Sequence, residues 1–127
     1  MAKGPWKNKN PFDVYLRTIY NRQRLDANPS HRNIDWSLTF DEWKEHSTSN
    51  CYYCGDVPVL KEGKSHLNKG ERVPLNGIDR INNDEGYHND NCRPCCSVCN
   101  YMKRQTNEQD FIEQVEKIWR NKCQLIP

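Results

Sequence analysis

The sequence predicts a small α+β domain, in which helices at both ends flank two short strands and two further, shorter helices. Apolar residues recur at helical spacing over 12–25 and again after residue 106, which predicts an amphipathic helix at each end. Between them, short apolar runs are bounded by Asn, Asp and Gly clusters, as is typical of strands joined by turns. We expect one domain over 12–127, preceded by a basic, flexible arm over 1–11.

Basic residues are concentrated in the arm and in the first helix. The arm is interpreted either as a frayed terminus or as a contact for phosphate groups. The arginines of the helix lie off its apolar stripe, so they face either solvent or a polyanion, and both interpretations stay open. These arginines are Arg17, Arg22 and Arg24, and the predicted buried stripe contains Phe12, Tyr15, Leu16, Ile19 and Tyr20.

A second helix is expected to start at a capping box formed by Thr39 and Glu42. It would carry Phe40 and Trp43 inward and lead directly to Cys51. The rest of the central region is predicted to consist of an irregular loop over 55–75, a strand over 73–81, a turn over 82–86, a returning strand over 91–95 and a helix over 97–104.

The last helix is expected to begin near Thr106, with a capping pattern to Gln109. Its apolar side chains are predicted to pack within the domain, and Trp119 has the alternative interpretation of a contact between two copies of the chain. The apolar side chains are Phe111, Ile112, Val115, Ile118 and Trp119.

Composition predicts that the domain needs support besides its apolar core. Hydrophobic residues make up 35% and charged residues 28% of the 127 positions, so the core is thin. No apolar run marks export or membrane insertion, which leads us to expect a cytoplasmic, reducing environment and no membrane partner. The net charge of +2 is too small to indicate nucleic-acid binding by itself, so the distribution of basic residues has to carry that inference.

The seven cysteines indicate what that support is. Two Cys-x-x-Cys pairs, Cys51/Cys54 and Cys96/Cys99, would each present two thiolates on one turn, and two such knuckles complete a tetrahedral zinc site. Zinc binding of this kind contributes on the order of 10–16 kcal/mol at neutral pH, which is comparable to the stability of a whole small domain. The metal would therefore hold the fold together.

A competing Cys-x-x-Cys pair, Cys92/Cys95, directly precedes the second knuckle, and spacing alone leaves both pairs open. Pro94 lies inside this pair, and its segment is strand-like. With Cys96/Cys99 as the zinc ligands, Cys92, Cys95 and Cys123 are expected to be buried small hydrophobes. A set of disulfides is disfavoured because a seventh cysteine would be left over.

The segment between the knuckles reads NGIDRINNDEGYHNDNCRPCCSVCNYMK over residues 76–103. It contains Asp79-Arg80-Ile81, Gly86, Asn91, Pro94, Cys96, Cys99, Asn100 and Lys103. This pattern resembles the HNH, or ββα-metal, endonuclease motif, a strand–loop–strand–helix unit around one divalent cation. The resemblance covers residues 50–104. It is nearest to phage-type members with a Cys-Tyr-Tyr-Cys-Gly knuckle and an Ile-Asp-Arg-Ile strand.

The resemblance implies two metal sites in one HNH domain. It assigns the structural zinc to the Cys51/Cys54 and Cys96/Cys99 knuckles. It assigns a catalytic Mg²⁺ or Mn²⁺ to the oxygen ligands Asp79 and Asn100, which suits the preference of these cations for oxygen. Asn91 would fix the loop and the strand register, and its alternative interpretation is an ordinary turn asparagine.

The chain departs from the family pattern at Arg80, which stands where the family has the histidine that activates water. Arginine stays protonated at neutral pH, so another group would have to be the base. Tyr53 in the knuckle and His88 in the loop are both candidates, and His66 is a third. Tyr53 would need a lowered pKa, which a neighbouring Arg80 would supply. Arg80 itself is expected to clamp phosphate oxygens in the transition state.

Two functions follow from the resemblance. The first is a metal-dependent endonuclease that hydrolyses double-stranded DNA, in a homing, restriction or host-DNA-degrading role, with two copies of the chain cutting the two strands as a homodimer. The second is a catalytically inactive HNH-fold zinc protein that only binds DNA. The expected phosphate contacts are Arg80, Lys103, Arg104, Arg17, Arg22 and Arg24.

Overall fold

The computed structural model describes residues 11–28, 32–60 and 73–123. The predicted basic arm, apart from Pro11, and most of the predicted irregular loop, including His66, lie outside the described residues. The elements of the described part are α1 (Pro11–Asp26), α2 (Phe40–Thr48), β1 (Gly77–Arg80), β2 (Cys92–Cys95), α3 (Ser97–Lys103) and α4 (Glu108–Lys122), with a short 3-10 turn at Asn89–Asn91 before β2. None of the described helices is long and apolar enough to cross a bilayer.

The main apolar core lies between α1, α2 and the segments that follow them. Trp43 is fully buried, and its indole nitrogen donates a hydrogen bond to Gln23 Oε1 at 2.9 Å. Tyr20 contacts the Trp43 ring edge-on at 5.8 Å between centroids, an arrangement that aromatic pairs favour. The predicted stripe of α1 is buried at Leu16 and Ile19, but Phe12 is 43% exposed because it lies in the first turn, at the edge of the core.

Helix starts follow the local capping chemistry. The capping box of α2 is confirmed, since Glu42 N–H donates to Thr39 Oγ1 at 3.1 Å and Thr39 N–H donates to Glu42 Oε1 at 2.9 Å. The expected cap of α4 at Thr106 is wrong by one residue. Asn107 is the N-cap, and its side-chain oxygen accepts from Asp110 N–H at 2.9 Å.

The two strands form an antiparallel pair that is shorter than predicted. Gly77 lies opposite Cys95, and Asp79 lies opposite Arg93. Helix α3 begins directly after β2, with Cys96 as its N-cap residue. Strand β1 therefore lies against both β2 and α3, which brings the side chain of Asp79 close to α3.

The loop between the strands is fixed by Asn91. Its amide nitrogen donates to the carbonyl oxygens of Asn82 at 3.0 Å and Gly86 at 2.8 Å, and its oxygen accepts from Asn82 N–H at 2.8 Å. Gly86 leaves no room for a side chain, because a Cβ there would lie 2.4 Å from the carbonyl oxygen of Asp35. Asn91 thus satisfies partly buried backbone groups of the loop and holds the two ends of the loop together.

The prediction that α4 buries its apolar stripe within the domain is wrong for most of the stripe. Phe111 is buried, whereas Ile112, Ile118 and Trp119 are 46%, 50% and 52% exposed. Val115 is also exposed, at 37%. The helix touches the rest of the described chain through its first turn, so its later turns have no apolar surface to pack against there. A contact between two copies at this face stays a prediction.

The contrast between two tryptophans tests this description of the core. Trp43→Ala is expected to cost about 3–5 kcal/mol of unfolding free energy, because it empties a fully buried site. Trp119→Ala removes the same side chain from a half-exposed site and should cost less than about 1 kcal/mol. Urea unfolding followed by circular dichroism at low protein concentration measures both, and equal losses would contradict the described packing of α4.

Candidate functional site

Four cysteine side chains meet where the loop after α2 approaches the start of α3. The sulfur atoms of Cys51, Cys54, Cys96 and Cys99 all lie within 4.8 Å of one another, and Cys54 Sγ is 3.7 Å from Cys96 Sγ. A tetrahedral zinc with Zn–S bonds of about 2.3 Å separates its sulfur ligands by about 3.8 Å. The cluster therefore fits a zinc ion, and it unites the two knuckles that the sequence analysis singled out.

The thiols of this cluster have unequal proton affinities. Burial raises the pKa of Cys51, but hydrogen bonds to the backbone of Cys96, Cys54 and Tyr53 outweigh it and lower that pKa to about 6. Burial and the neighbouring thiols Cys96 and Cys54 raise the pKa of Cys99 well above its usual value. Without a cation the four groups cannot all ionise, because each thiolate opposes the next, and a bound metal removes this conflict.

The remaining cysteines of the described part are outside the cluster. Burial raises the pKa of both Cys92 and Cys95 to about 12. Cys92 belongs to the main core, as expected, and Cys95 packs against Cys51. The expectation of burial is wrong for Cys123, which is exposed at the end of α4 where the chain leaves the packed region.

A buried carboxylate lies beside the cysteine cluster. Asp79 is 5% exposed, and its Oδ2 accepts a hydrogen bond from the Tyr53 hydroxyl at 3.0 Å. Its Oδ1 is paired with the ammonium of Lys103 at 3.3 Å, and Lys103 is only 1% exposed. The structure thus joins β1, the first knuckle and the end of α3 at one carboxyl group.

Asn100, the second predicted ligand of the catalytic cation, lies on α3 directly after Cys99. It is exposed, and its side-chain amide has no hydrogen bond within the described part of the chain. Residues three apart share a helix face, so Asn100 lies on the same side of α3 as Lys103, which reaches Asp79. A buried carboxylate and an amide oxygen are the donor types that Mg²⁺ and Mn²⁺ accept.

Arg80 does not lie where the sequence analysis expected it. Successive residues of a strand point to opposite faces, so its side chain leaves β1 on the side away from Asp79. Its guanidinium donates to the carbonyl oxygens of Asn83 at 3.0 Å and Glu85 at 2.8 Å, and it lies 5.3 Å from the centre of the Tyr87 ring. In this structure Arg80 holds the loop between the strands.

The two described candidate bases lie in different surroundings. Tyr53 touches Asp79, whereas the recorded side-chain contact of His88 is with Glu85 of the loop, at 3.1 Å. The expected lowering of the Tyr53 pKa by Arg80 is wrong. Burial and the charge of Asp79 raise this pKa above its usual value, and the cation that opposes the rise is Arg93.

Arg93 is a residue of the site that the sequence analysis missed. It is 8% exposed on β2, and its guanidinium lies 4.2 Å from the centre of the Tyr52 ring and 5.9 Å from that of Tyr53. It also binds Glu108 at 3.0 Å, and Glu108 accepts the Tyr52 hydroxyl at 2.6 Å. These contacts hold the first knuckle against α4. The one signal in the sequence was its position opposite Asp79 in the predicted hairpin.

The predicted phosphate contacts are distributed unevenly in the structure. Arg22, Arg24 and Arg104 are exposed, as a phosphate contact requires. Arg17 lies over the ring of Phe40 at 4.1 Å, and Lys103 is buried against Asp79. Binding of DNA by these residues stays a prediction, and for Lys103 it would require the side chain to move.

Strands β1 and β2, helix α3 and the four-cysteine cluster form an HNH fold. Among solved structures, the chain is similar to the rare-cutting HNH restriction endonuclease PacI, with a TM-score of 0.58. The match covers 97% of this chain and 99% of the PacI chain at 18% sequence identity. The α+β HNH fold expected from the sequence is confirmed.

Sequence comparison finds a relative that is similar over part of its length. No family model matches the chain. An uncharacterized protein of Acanthamoeba polyphaga mimivirus is 38% identical over 95 residues, which is 75% of this chain. The match covers 15% of the length of that protein, so it concerns one segment of a much longer chain.

A single cysteine exchange tests the zinc site. Cys54→Ser removes one of the four sulfur ligands and is expected to lower both the zinc content and the thermal midpoint, because zinc binding contributes on the order of 10 kcal/mol to such folds. Cys123→Ser, at an exposed position outside the cluster, is the matched control and should change neither. Atomic absorption after dialysis and a thermal melt measure the two effects. A wild-type protein that keeps its melting point after metal removal by a chelator would contradict the site.

Proposed function

We propose that this protein is a metal-dependent endonuclease that hydrolyses phosphodiester bonds of double-stranded DNA at an HNH site. The observation that carries the proposal is the position of Asp79, a buried carboxylate on the first strand of the HNH unit, next to the zinc-type cluster. A protein that only binds DNA has little use for such a group, because a carboxylate repels phosphate. A nuclease needs it to hold a cation.

Asp79 and Asn100 are the residues that we propose as ligands of that cation. Asp79 supplies a carboxylate on a rigid strand, and Asn100 supplies an amide oxygen whose position is set by the adjacent zinc ligand Cys99. A Mg²⁺ or Mn²⁺ bound there would neutralise charge on the scissile phosphate as it develops. Asn91 supports the same arrangement by holding the loop that joins the strands.

Tyr53 is the group that we propose for proton transfer. Its hydroxyl already contacts Asp79, so it lies at the centre of the proposed site, whereas His88 is paired with Glu85 in the loop. Burial and the charge of Asp79 raise the Tyr53 pKa and Arg93 opposes them, so a cation bound at Asp79 would remove the second cause and make the proton easier to release. If His88 were the base instead, the substrate would have to extend from the loop that carries His88 to the cation at Asp79.

A second function, DNA binding without cleavage, is favoured by one observation. Arg80 stands in place of the usual histidine and is engaged with the loop carbonyls rather than with the site. If no other group replaces that histidine as the base, the protein still binds DNA through its basic residues but does not hydrolyse it. The likeness to a restriction endonuclease supports the fold for both functions.

Plasmid cleavage distinguishes the two functions. The zinc-loaded protein is expected to nick or linearise supercoiled plasmid in Mg²⁺ or Mn²⁺, and Asp79→Asn should lower the rate at least about 100-fold, because the cation loses its charged ligand. Asn100→Ala should act in the same direction. Asp90→Asn removes an exposed carboxylate and is the matched control.

The contrary outcome is equally definite. The wild-type protein could bind DNA in a mobility-shift assay and yet leave the plasmid intact in both metals. That result would contradict the nuclease function and support DNA binding without cleavage. In that case Asp79→Asn should leave DNA affinity unchanged or raise it, since it removes a negative charge.

Two neighbouring tyrosines provide a test of the proposed base. Tyr53→Phe removes the hydroxyl that contacts Asp79 and should lower the cleavage rate by about 10²–10⁴-fold. Tyr52→Phe removes the adjacent hydroxyl, which contacts Glu108 instead, and should have a small effect. His88→Gln is measured alongside them. A large loss in His88→Gln with near-normal cleavage by Tyr53→Phe would assign the base to the histidine.

A further inference from the structure

Lys103 is buried more completely than a lysine ordinarily is. Its side chain is 1% exposed, and its ammonium is paired with Asp79, whose side chain is 4% exposed. Lysines are almost never fully buried unless they are paired, because the ammonium loses its hydration. The ammonium of Lys103 therefore lies inside the domain, next to the carboxylate that we propose as a metal ligand.

The two oxygens of Asp79 are both engaged in the structure. Oδ1 faces the Lys103 ammonium at 3.3 Å, and Oδ2 accepts the hydroxyl of Tyr53 at 3.0 Å. Each oxygen retains a second lone pair, so a cation that binds this carboxylate shares it with one of these donors and competes with the other. The tyrosine is neutral, whereas the ammonium has the same sign of charge as the incoming cation and would lie close to it in a site of low dielectric. Repulsion therefore selects Lys103 as the group that leaves.

We propose that the Lys103 ammonium takes the place of the divalent cation on Asp79 in the metal-free protein and is displaced when the cation binds. This inference rests on the proposed metal site at Asp79. It makes Lys103 a positioning residue that keeps the buried carboxylate compensated before the metal arrives. Its removal then raises the affinity for the cation, because the competitor is gone.

The end of α3 gives the displaced side chain a route to solvent. Lys103 is the last residue of α3, and the chain turns away at Arg104, which has a φ of 52°. Its neighbours Tyr101 and Met102 are 71% and 55% exposed. A four-carbon side chain at this position reaches the surface by rotation about its own bonds. The released ammonium would emerge beside Arg104, where a phosphate contact was expected for both residues.

Amine acylation of the wild-type protein tests the displacement directly. The zinc-loaded protein is treated briefly with an N-hydroxysuccinimide acetate, with and without saturating Mn²⁺, and the modified lysines are located by peptide mass spectrometry. Acetylation of Lys103 is expected to rise at least about tenfold with Mn²⁺, because the cation shifts the population towards the exposed side chain. Lys117, exposed on α4, serves as the control and should not respond.

Cation affinity provides the second measurement. Free Mn²⁺ is followed by its electron paramagnetic resonance signal during titration of wild type, Lys103→Met and Lys117→Met. Lys103→Met should bind Mn²⁺ about tenfold more tightly or better, whereas Lys117→Met, with the same change of net charge, should match the wild type. Asp79→Asn should abolish this binding, which confines the signal to the intended site.

The outcomes separate this inference from the proposed nuclease. Protection of Lys103 at saturating Mn²⁺, or unchanged Mn²⁺ affinity in a folded Lys103→Met, would overturn the displacement even if the plasmid is cut. If Mn²⁺ exposes Lys103 but the plasmid is not cut, the displacement is supported and the proposed nuclease function is contradicted. Failure of the wild type and Lys103→Met to bind Mn²⁺ at all would overturn both. The acylation experiment needs no variant, so a Lys103→Met chain that does not fold leaves it decisive.

Discussion

The meeting of four cysteine sulfurs is the constraint on which the rest of the structure depends. It joins two chain segments that carry the proposed chemistry, because Tyr53 lies between the first two sulfurs and Asn100 follows the last. Without that connection, the thin core between α1 and α2 would have no means of positioning either side chain. A metal bound by these sulfurs would thereby set the geometry of the site that we propose at Asp79.

Charge compensation is the second theme of the site. Two buried cations, Arg93 and Lys103, lie on either side of the Tyr53–Asp79 contact. Arg93 is fixed by Glu108 and by aromatic faces, so it is a permanent part of the scaffold. The Lys103 ammonium is paired with Asp79. Arg93 therefore supports the knuckle, while Lys103 is the cation that we propose exchanges for a metal.

Local chemistry was predictable from the sequence, and long-range packing was not. The cap at Thr39 was predicted correctly because a capping box involves only neighbouring residues. The start of α4 was misplaced by one residue because Thr and Asn are both good N-cap residues, and the structure uses Asn107. Periodicity located α4 but could not say what its apolar face meets. The inward position of Lys103 depends on the packing of a helix against a strand, so the motif suggested a phosphate contact instead.

The contacts of Asn91 have a consequence for how such a chain can vary. Its one amide group spans the loop between the strands, with bonds to the backbone at both Asn82 and Gly86, and Gly86 is in turn pressed against Asp35. The amide therefore holds these two backbone positions at a fixed separation. Insertions or deletions within this loop would misalign Asp79 and Arg93 across the hairpin, so variation in length has to occur elsewhere along the chain.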